Sequence, residues 1–186
     1  PPPSPWRHSM KKIILASSLI VLGMSSAFAA DGTITINGKV TASTCVINSD
    51  NPDFVVTLPT VSTTVLADTA TAGRTPFTIN LTGCTEATNV ATYFEPGSTV
   101  DFATGRLNNT TTGGAANVQV QLLGSNNAVI PVLAGAGAGV TQTNSQVVAT
   151  DGNGAAALNY YAEYYANGVV GAGAVNTSVQ YTVIYP

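Results

Sequence analysis

Apolar and polar residues alternate along much of this chain with a period of two, the repeat of a β-strand whose side chains point to opposite faces. Within residues 33–40, Ile34, Ile36 and Val40 share one face and Thr33, Thr35, Asn37 and Lys39 the other. Residues 175–185 place Val175, Thr177, Val179, Tyr181, Val183 and Tyr185 on one face. Shorter apolar runs predict further strands over residues 54–58, 76–81, 90–94, 118–123, 128–133 and 155–165, separated by turn clusters such as Asn108-Asn109, Gly124-Ser125-Asn126-Asn127 and Asp151-Gly152-Asn153-Gly154. No long 3.6-residue apolar period interrupts them. Short strands spaced by turn residues predict an all-β sandwich with Greek-key connections, with a barrel as the second choice.

The start of the chain follows a different rule. Lys11 and Lys12 lead into an apolar run over residues 13–22, which ends near Ala27-Phe28-Ala29. A basic start, an apolar run about half the roughly 20 residues of a membrane span, and a small-x-small site spell a secretory leader. Residues 10–29 are therefore expected to be a signal peptide, with the mature chain a single domain from Ala30 to Pro186. Residues 1–9 suit neither a leader nor a fold and read as sequence upstream of the start at Met10.

Removing the leader changes the available chemistry. His8 and Trp6 are the only histidine and tryptophan, so the mature chain has neither. Its cations are Lys39, Arg74 and Arg106 against nine acidic residues, a net charge of minus six. Such a chain offers no basic surface to nucleic acid. Two cysteines, Cys45 and Cys84, travel to an oxidising compartment, where a disulfide is the default reading. A metal pair or a catalytic thiol would need partner ligands or a base, and no histidine is present to serve. Closing this loop stabilises the fold by about 4 kcal/mol in the chain-entropy description.

The two ends of the mature chain complement each other. A long alternating strand near the C-terminus leaves a sandwich one strand short unless another is recruited. Upstream, Ala30, Gly32, Ile34 and Ile36 form a strand-like face ahead of the sandwich. The pieces Asp31-Gly32-Thr33-Ile34-Thr35-Ile36-Asn37-Gly38-Lys39-Val40 running to Cys45, Phe77-Thr78-Ile79-Asn80-Leu81-Thr82-Gly83-Cys84, residues 116–123, Tyr160-Tyr161-Ala162-Glu163-Tyr164-Tyr165-Ala166 and the penultimate Tyr185 occur in a telling order. Together they resemble the fimbrial subunits of the chaperone-usher pathway, close to the type 1 major-subunit group.

That resemblance implies an incomplete immunoglobulin-like sandwich, missing its final strand and completed by the N-terminal strand of a neighbouring subunit. In those terms Ala30, Gly32, Ile34 and Ile36 are the donor strand, with Gly32 at a shallow pocket and the isoleucines as buried knobs. Val179, Tyr181, Val183 and Tyr185 belong to the C-terminal strand that borders the groove and is held by a periplasmic chaperone before assembly. The implied partners are identical or related pilin subunits, that chaperone, an outer-membrane usher and a host surface receptor; no cofactor or metal is implied. The product is a cell-surface fimbrium that supports adhesion. The donor segment before Ile36, residues 30–35, is shorter than in the shaft subunits it resembles.

Blander readings compete at several positions. Leu158, Tyr160, Ala162 and Tyr164 share a core face, which turns Tyr161 and Tyr165 outward as a candidate sugar platform. Asp151-Gly152-Asn153-Gly154 reads as a hairpin turn, since Ala162 stands where a calcium loop needs its final carboxylate. The Gly/Ala stretch at 134–139 lacks a following Lys-Ser/Thr and is no phosphate loop. With no histidine after the leader and Lys39 as the sole lysine there, acid-base or nucleophilic catalysis has no constellation to use, so a non-enzyme is expected. The alternative to a structural subunit is a carbohydrate-binding adhesin or a minor tip or adaptor subunit.

Overall fold

The computed structural model describes residues 34–40, 45–84, 89–134 and 141–186. Ala30 and Gly32 lie outside the described residues. The chain divides into two units, Pro1–Val40 and Thr41–Pro186. In the first, residues 34–40 belong to no helix or strand, with Ile34 and Ile36 each 89% exposed and Val40 99%.

The described residues of the second unit form ten strands in two sheets. The larger sheet contains β1 (Val46–Ile47), β2 (Thr71–Thr82), β4 (Val100–Asp101), β5 (Arg106–Asn108), β6 (Val118–Leu123), β7 (Val129–Ile130) and β9 (Ala156–Ala166). Its order is β1-β2-β9-β6-β5-β4, with β7 also paired to β6. The smaller sheet sets β3 (Asn89–Phe94) between β8 (Val147–Ala149) and β10 (Tyr181–Ile184). All pairings are antiparallel. Strands successive in sequence cross between the sheets, as β2 to β3 and β8 to β9 do, which gives the sandwich its crossed connectivity.

Period-two alternation builds the core. Ile79 and Leu81 on β2, Leu158, Tyr160 and Ala162 on β9, and Val120 and Leu122 on β6 meet Val90 and Phe94 from β3. Tyr160 crosses Phe94 edge-on with ring centroids 5.1 Å apart, tying the two sheets together, and Phe77 lies 5.6 Å from Tyr160 on the neighbouring strand of the larger sheet. Gln142 stands in for a strand: its Oε1 accepts from the Phe94 N–H at 2.8 Å, and its Nε2 donates to the carbonyls of Phe94 and Leu133 at 2.7 and 3.0 Å. Cys45 and Cys84 are joined, stapling the start of the sandwich to the end of β2.

Four expected strands take other forms, residues 34–40 among them, which join no ladder among the described residues. Residues 54–58 join no strand and are paired to nothing among the described residues, and of residues 175–185 only Tyr181–Ile184 join a ladder. Residues 128–133 shrink to the two-residue β7 because Pro131 has no N–H to give the ladder. The short β4, β5 and β8 carry too few residues for alternation to reveal them.

Candidate functional site

Two segments left out of the sheets, residues 52–58 and 175–180, line the same cleft. Residues 52–58 and 175–181 line an apolar cleft of about 830 Å³, floored by Ile79, Phe94, Leu107, Val120 and Leu122. Val56 and Leu58 turn in against the core from one rim while Val55 points out, 89% exposed; Val175, Val179 and Tyr181 turn in from the other. Val183 and Tyr185 continue that inward row beyond the cleft.

The backbone of the C-terminal rim is half used. The carbonyls of Ala174, Asn176 and Gln180 accept from the N–H groups of Ala115, Thr110 and Glu95 at 2.9, 2.8 and 2.8 Å. Ser178 accepts from the Thr99 hydroxyl at 2.7 Å, and the Asn176 N–H donates to Asn109 Oδ1 at 3.0 Å. Even-numbered residues are thereby tied to the body of the domain. Odd-numbered residues point their N–H and C=O the other way, into the cleft. Those of Val175, Thr177 and Val179 make no hydrogen bond among the described residues, and the Thr177 hydroxyl is buried without a partner. Across the cleft, the backbone of residues 53–58 is likewise unpaired among the described residues.

Local sequence explains how the near rim leaves the larger sheet. After β1, Asn48, Ser49 and Asp50 take left-handed φ values of 44°, 54° and 67° in succession. Asn and Asp tolerate this region better than other side-chain-bearing residues. Asn48 Oδ1 accepts from the Asn80 N–H at 2.8 Å, and the Asn51 N–H returns to the Asn48 carbonyl at 3.2 Å. This turn peels the chain away from β2 and directs residues 52–58 along the cleft. The Asn48-Ser49-Asp50-Asn51 cluster was the available signal for it.

One end of the cleft is clamped. The Tyr181 hydroxyl donates to the Pro52 carbonyl at 2.7 Å, and Phe54 lies 6.2 Å from the Tyr181 ring and 6.0 Å from that of Phe77. Burial, and then the nearby Asp53 carboxylate, hold the Tyr181 proton above the ordinary phenol range. The donor therefore persists at neutral pH.

The outer face of the larger sheet carries a polar network. Buried Glu163 accepts from Arg74 Nε at 2.8 Å and from Gln121 Nε2 at 2.7 Å, while Arg106 Nε donates to Gln121 Oε1 at 3.1 Å. The hydrogen bond to Glu163 raises the Arg74 pKa further. Arg106 also lies over the Tyr165 ring, its guanidinium carbon 3.5 Å from the centroid. That face of Tyr165 is thus engaged by a cation rather than free to stack on a sugar. Among the described residues, no cluster of acidic, cysteine or histidine side chains has the makings of a metal site.

A two-sheet sandwich with one edge unpaired along an apolar cleft defines the class: a pilin-type immunoglobulin-like fold. Solved structures share it. A chaperone-usher pilus subunit superposes with a TM-score of 0.57 at 18% identity, covering 84% of this chain and 96% of that one. The P pilus rod subunit PapA gives 0.54 at 17% identity, covering 76% and 99%. The type-1 fimbrial protein A (FimA) family matches residues 58–186, and the chain belongs to that family. The major fimbrial subunit SMF-1 of Stenotrophomonas maltophilia is 63% identical over 163 residues, 86% of this chain and 95% of the relative. The F17 fimbrial protein of Escherichia coli is 43% identical over 183 residues, 95% and 99% of the two chains. The chain is a structural fimbrial subunit of the cell surface, in a family of structural proteins.

Proposed function

We propose that this subunit polymerises by exchanging strands: the cleft between residues 52–58 and 175–181 accepts the N-terminal segment of a neighbouring copy or related pilin. The observation that carries the reading is the unpaired backbone of Val175, Thr177 and Val179 facing that of residues 53–58 above an apolar floor. An inserted strand would satisfy both edges at once and drop alternate side chains onto Leu107, Val120 and Leu122. Ile34 and Ile36, both exposed, supply the matching knobs, each contributing roughly 1.5–3 kcal/mol on burial. Ala30 and Gly32 extend the same face toward the N-terminus of a mature chain that begins at Ala30.

Before assembly, a periplasmic chaperone covers the same cleft and pairs with the open edge that runs through Val179, Tyr181, Val183 and Tyr185; an outer-membrane usher exchanges it for the next subunit. Adhesion to a host receptor is a property of the finished fibre. The test is deletion of residues 30–35: the truncated subunit is expected to fold and be captured by its chaperone but to donate to no neighbour. Fibres formed at the wild-type rate by that deletion would overturn the donor assignment.

A further inference from the structure

Only three cationic side chains follow the leader, and the structure treats them unequally. Arg74 sits in β2 at a bulge between Ala72 and Thr75, flanked on both sides by backbone paired to β9, and its Nε is held by Glu163. Arg106 sits in β5 between β4 and β6, its guanidinium spread over Tyr165. Lys39 belongs to residues 34–40, which are exposed and in no helix or sheet. Its following residue, Val40, is 99% exposed.

A protease selective for basic side chains needs the target in its specificity pocket and the flanking backbone drawn out as a strand. Backbone locked in a sheet must open first, and cleavage then follows the rare open population. Lys39 stands in exposed backbone that no sheet holds, so no ladder has to open around it; Arg74 and Arg106 are flanked by paired strand backbone and their guanidinium groups are engaged.

We propose that Lys39 is the preferred cleavage site of trypsin-class serine proteases in the unassembled subunit, and that the cut converts the subunit into a terminator. Hydrolysis of the Lys39–Val40 peptide bond consumes one water and leaves a carboxylate on Lys39 and an amine on Val40. Because the cut lies before Cys45, the disulfide does not retain the released segment. That segment carries Ile34 and Ile36, whereas every residue lining the cleft remains on the other product. The terminator half of the inference rests on the strand-exchange reading: the product still accepts a strand but has none to donate. It also follows that seating Ile36 in a neighbour shields the adjoining Lys39.

The test is limited trypsin digestion of the mature subunit released from the periplasm, beside assembled fibres, followed by intact mass and N-terminal sequencing. In the released subunit the first new N-terminus is expected at Val40; Lys39→Gln abolishes it, Lys39→Arg restores it, and Arg74→Gln or Arg106→Gln leaves it unchanged. First cleavage after Arg74 or Arg106, or unaltered digestion of Lys39→Gln, overturns the site. In fibres the same cut is expected to slow by about a hundredfold or more. Equal rates in fibre and released subunit, or donation by the cleaved product, would leave the cleavage site standing and overturn the strand-exchange reading instead.

Discussion

Copying residues 30–40 onto the C-terminus, through a short flexible linker after Pro186, gives the chain its own strand and makes the knob assignment measurable. In the natural position Ile34 is 89% exposed, so Ile34→Ala there removes almost no buried contact and should move stability by no more than about 0.5 kcal/mol. If the strand enters the cleft, the corresponding isoleucine in the appended copy would lie over the floor of Ile79, Leu107, Val120 and Leu122. Truncating a buried isoleucine to alanine costs about 2–5 kcal/mol, the lost transfer plus the hole it leaves. For a domain of this size each kcal/mol moves Tm by about 2–4 °C, so the appended-copy variant should melt about 4–20 °C below its parent. Urea unfolding followed by circular dichroism should show the same loss as a lower midpoint at unchanged slope. Equal, small effects at both positions would mean that the strand does not enter the cleft.

The remaining predictions concern the frame around the cleft. Replacing Cys45 and Cys84 together with alanine should lower unfolding free energy by up to about 4 kcal/mol, read by urea denaturation under non-reducing conditions. Arg74→Ala strands a buried carboxylate and should cost about 1–3 kcal/mol, with Glu163→Gln in the same background recovering part of it in a double-mutant cycle. Tyr181→Phe removes the clamp to Pro52 at a cost of about 0.5–1.5 kcal/mol. The same clamp gives a pH signature. Because the folded Tyr181 holds its proton more tightly than the unfolded chain, its contribution is complete below about pH 10 and is lost as pH rises past that value. Tyr181→Phe should flatten that alkaline decline in a stability profile.

Alternation made the long strands legible. Residues 118–123 were expected and form β6, and residues 155–165 differ from β9 by a single position at each end, because both carry enough alternating residues to show the period. The inward row of Leu158, Tyr160, Ala162 and Tyr164 emerged the same way. What the pattern could not say is whether an extended segment has a partner. Residues 54–58 and 175–180 alternate like any strand, yet hydrogen bonding is a property of the neighbour, not of the segment. The left-handed turn at Asn48-Ser49-Asp50 and the buried Gln142 were also unread. Each depends on contacts distant in sequence, to Asn80 in one case and Phe94 in the other.

The odd-numbered residues of the C-terminal rim present main-chain atoms, which every polypeptide possesses. Such an edge is blind to sequence and welcomes any extended strand, including one from a damaged or misfolded neighbour. On the strand-exchange reading, discrimination comes from shape, through the fit of alternate side chains to the floor formed by Leu107, Val120 and Leu122. A protein carrying this edge is least safe when alone. Its hazard is set by how long it travels uncovered between export and assembly, which makes the supply of a correct occupant a condition of solubility as well as of polymer growth.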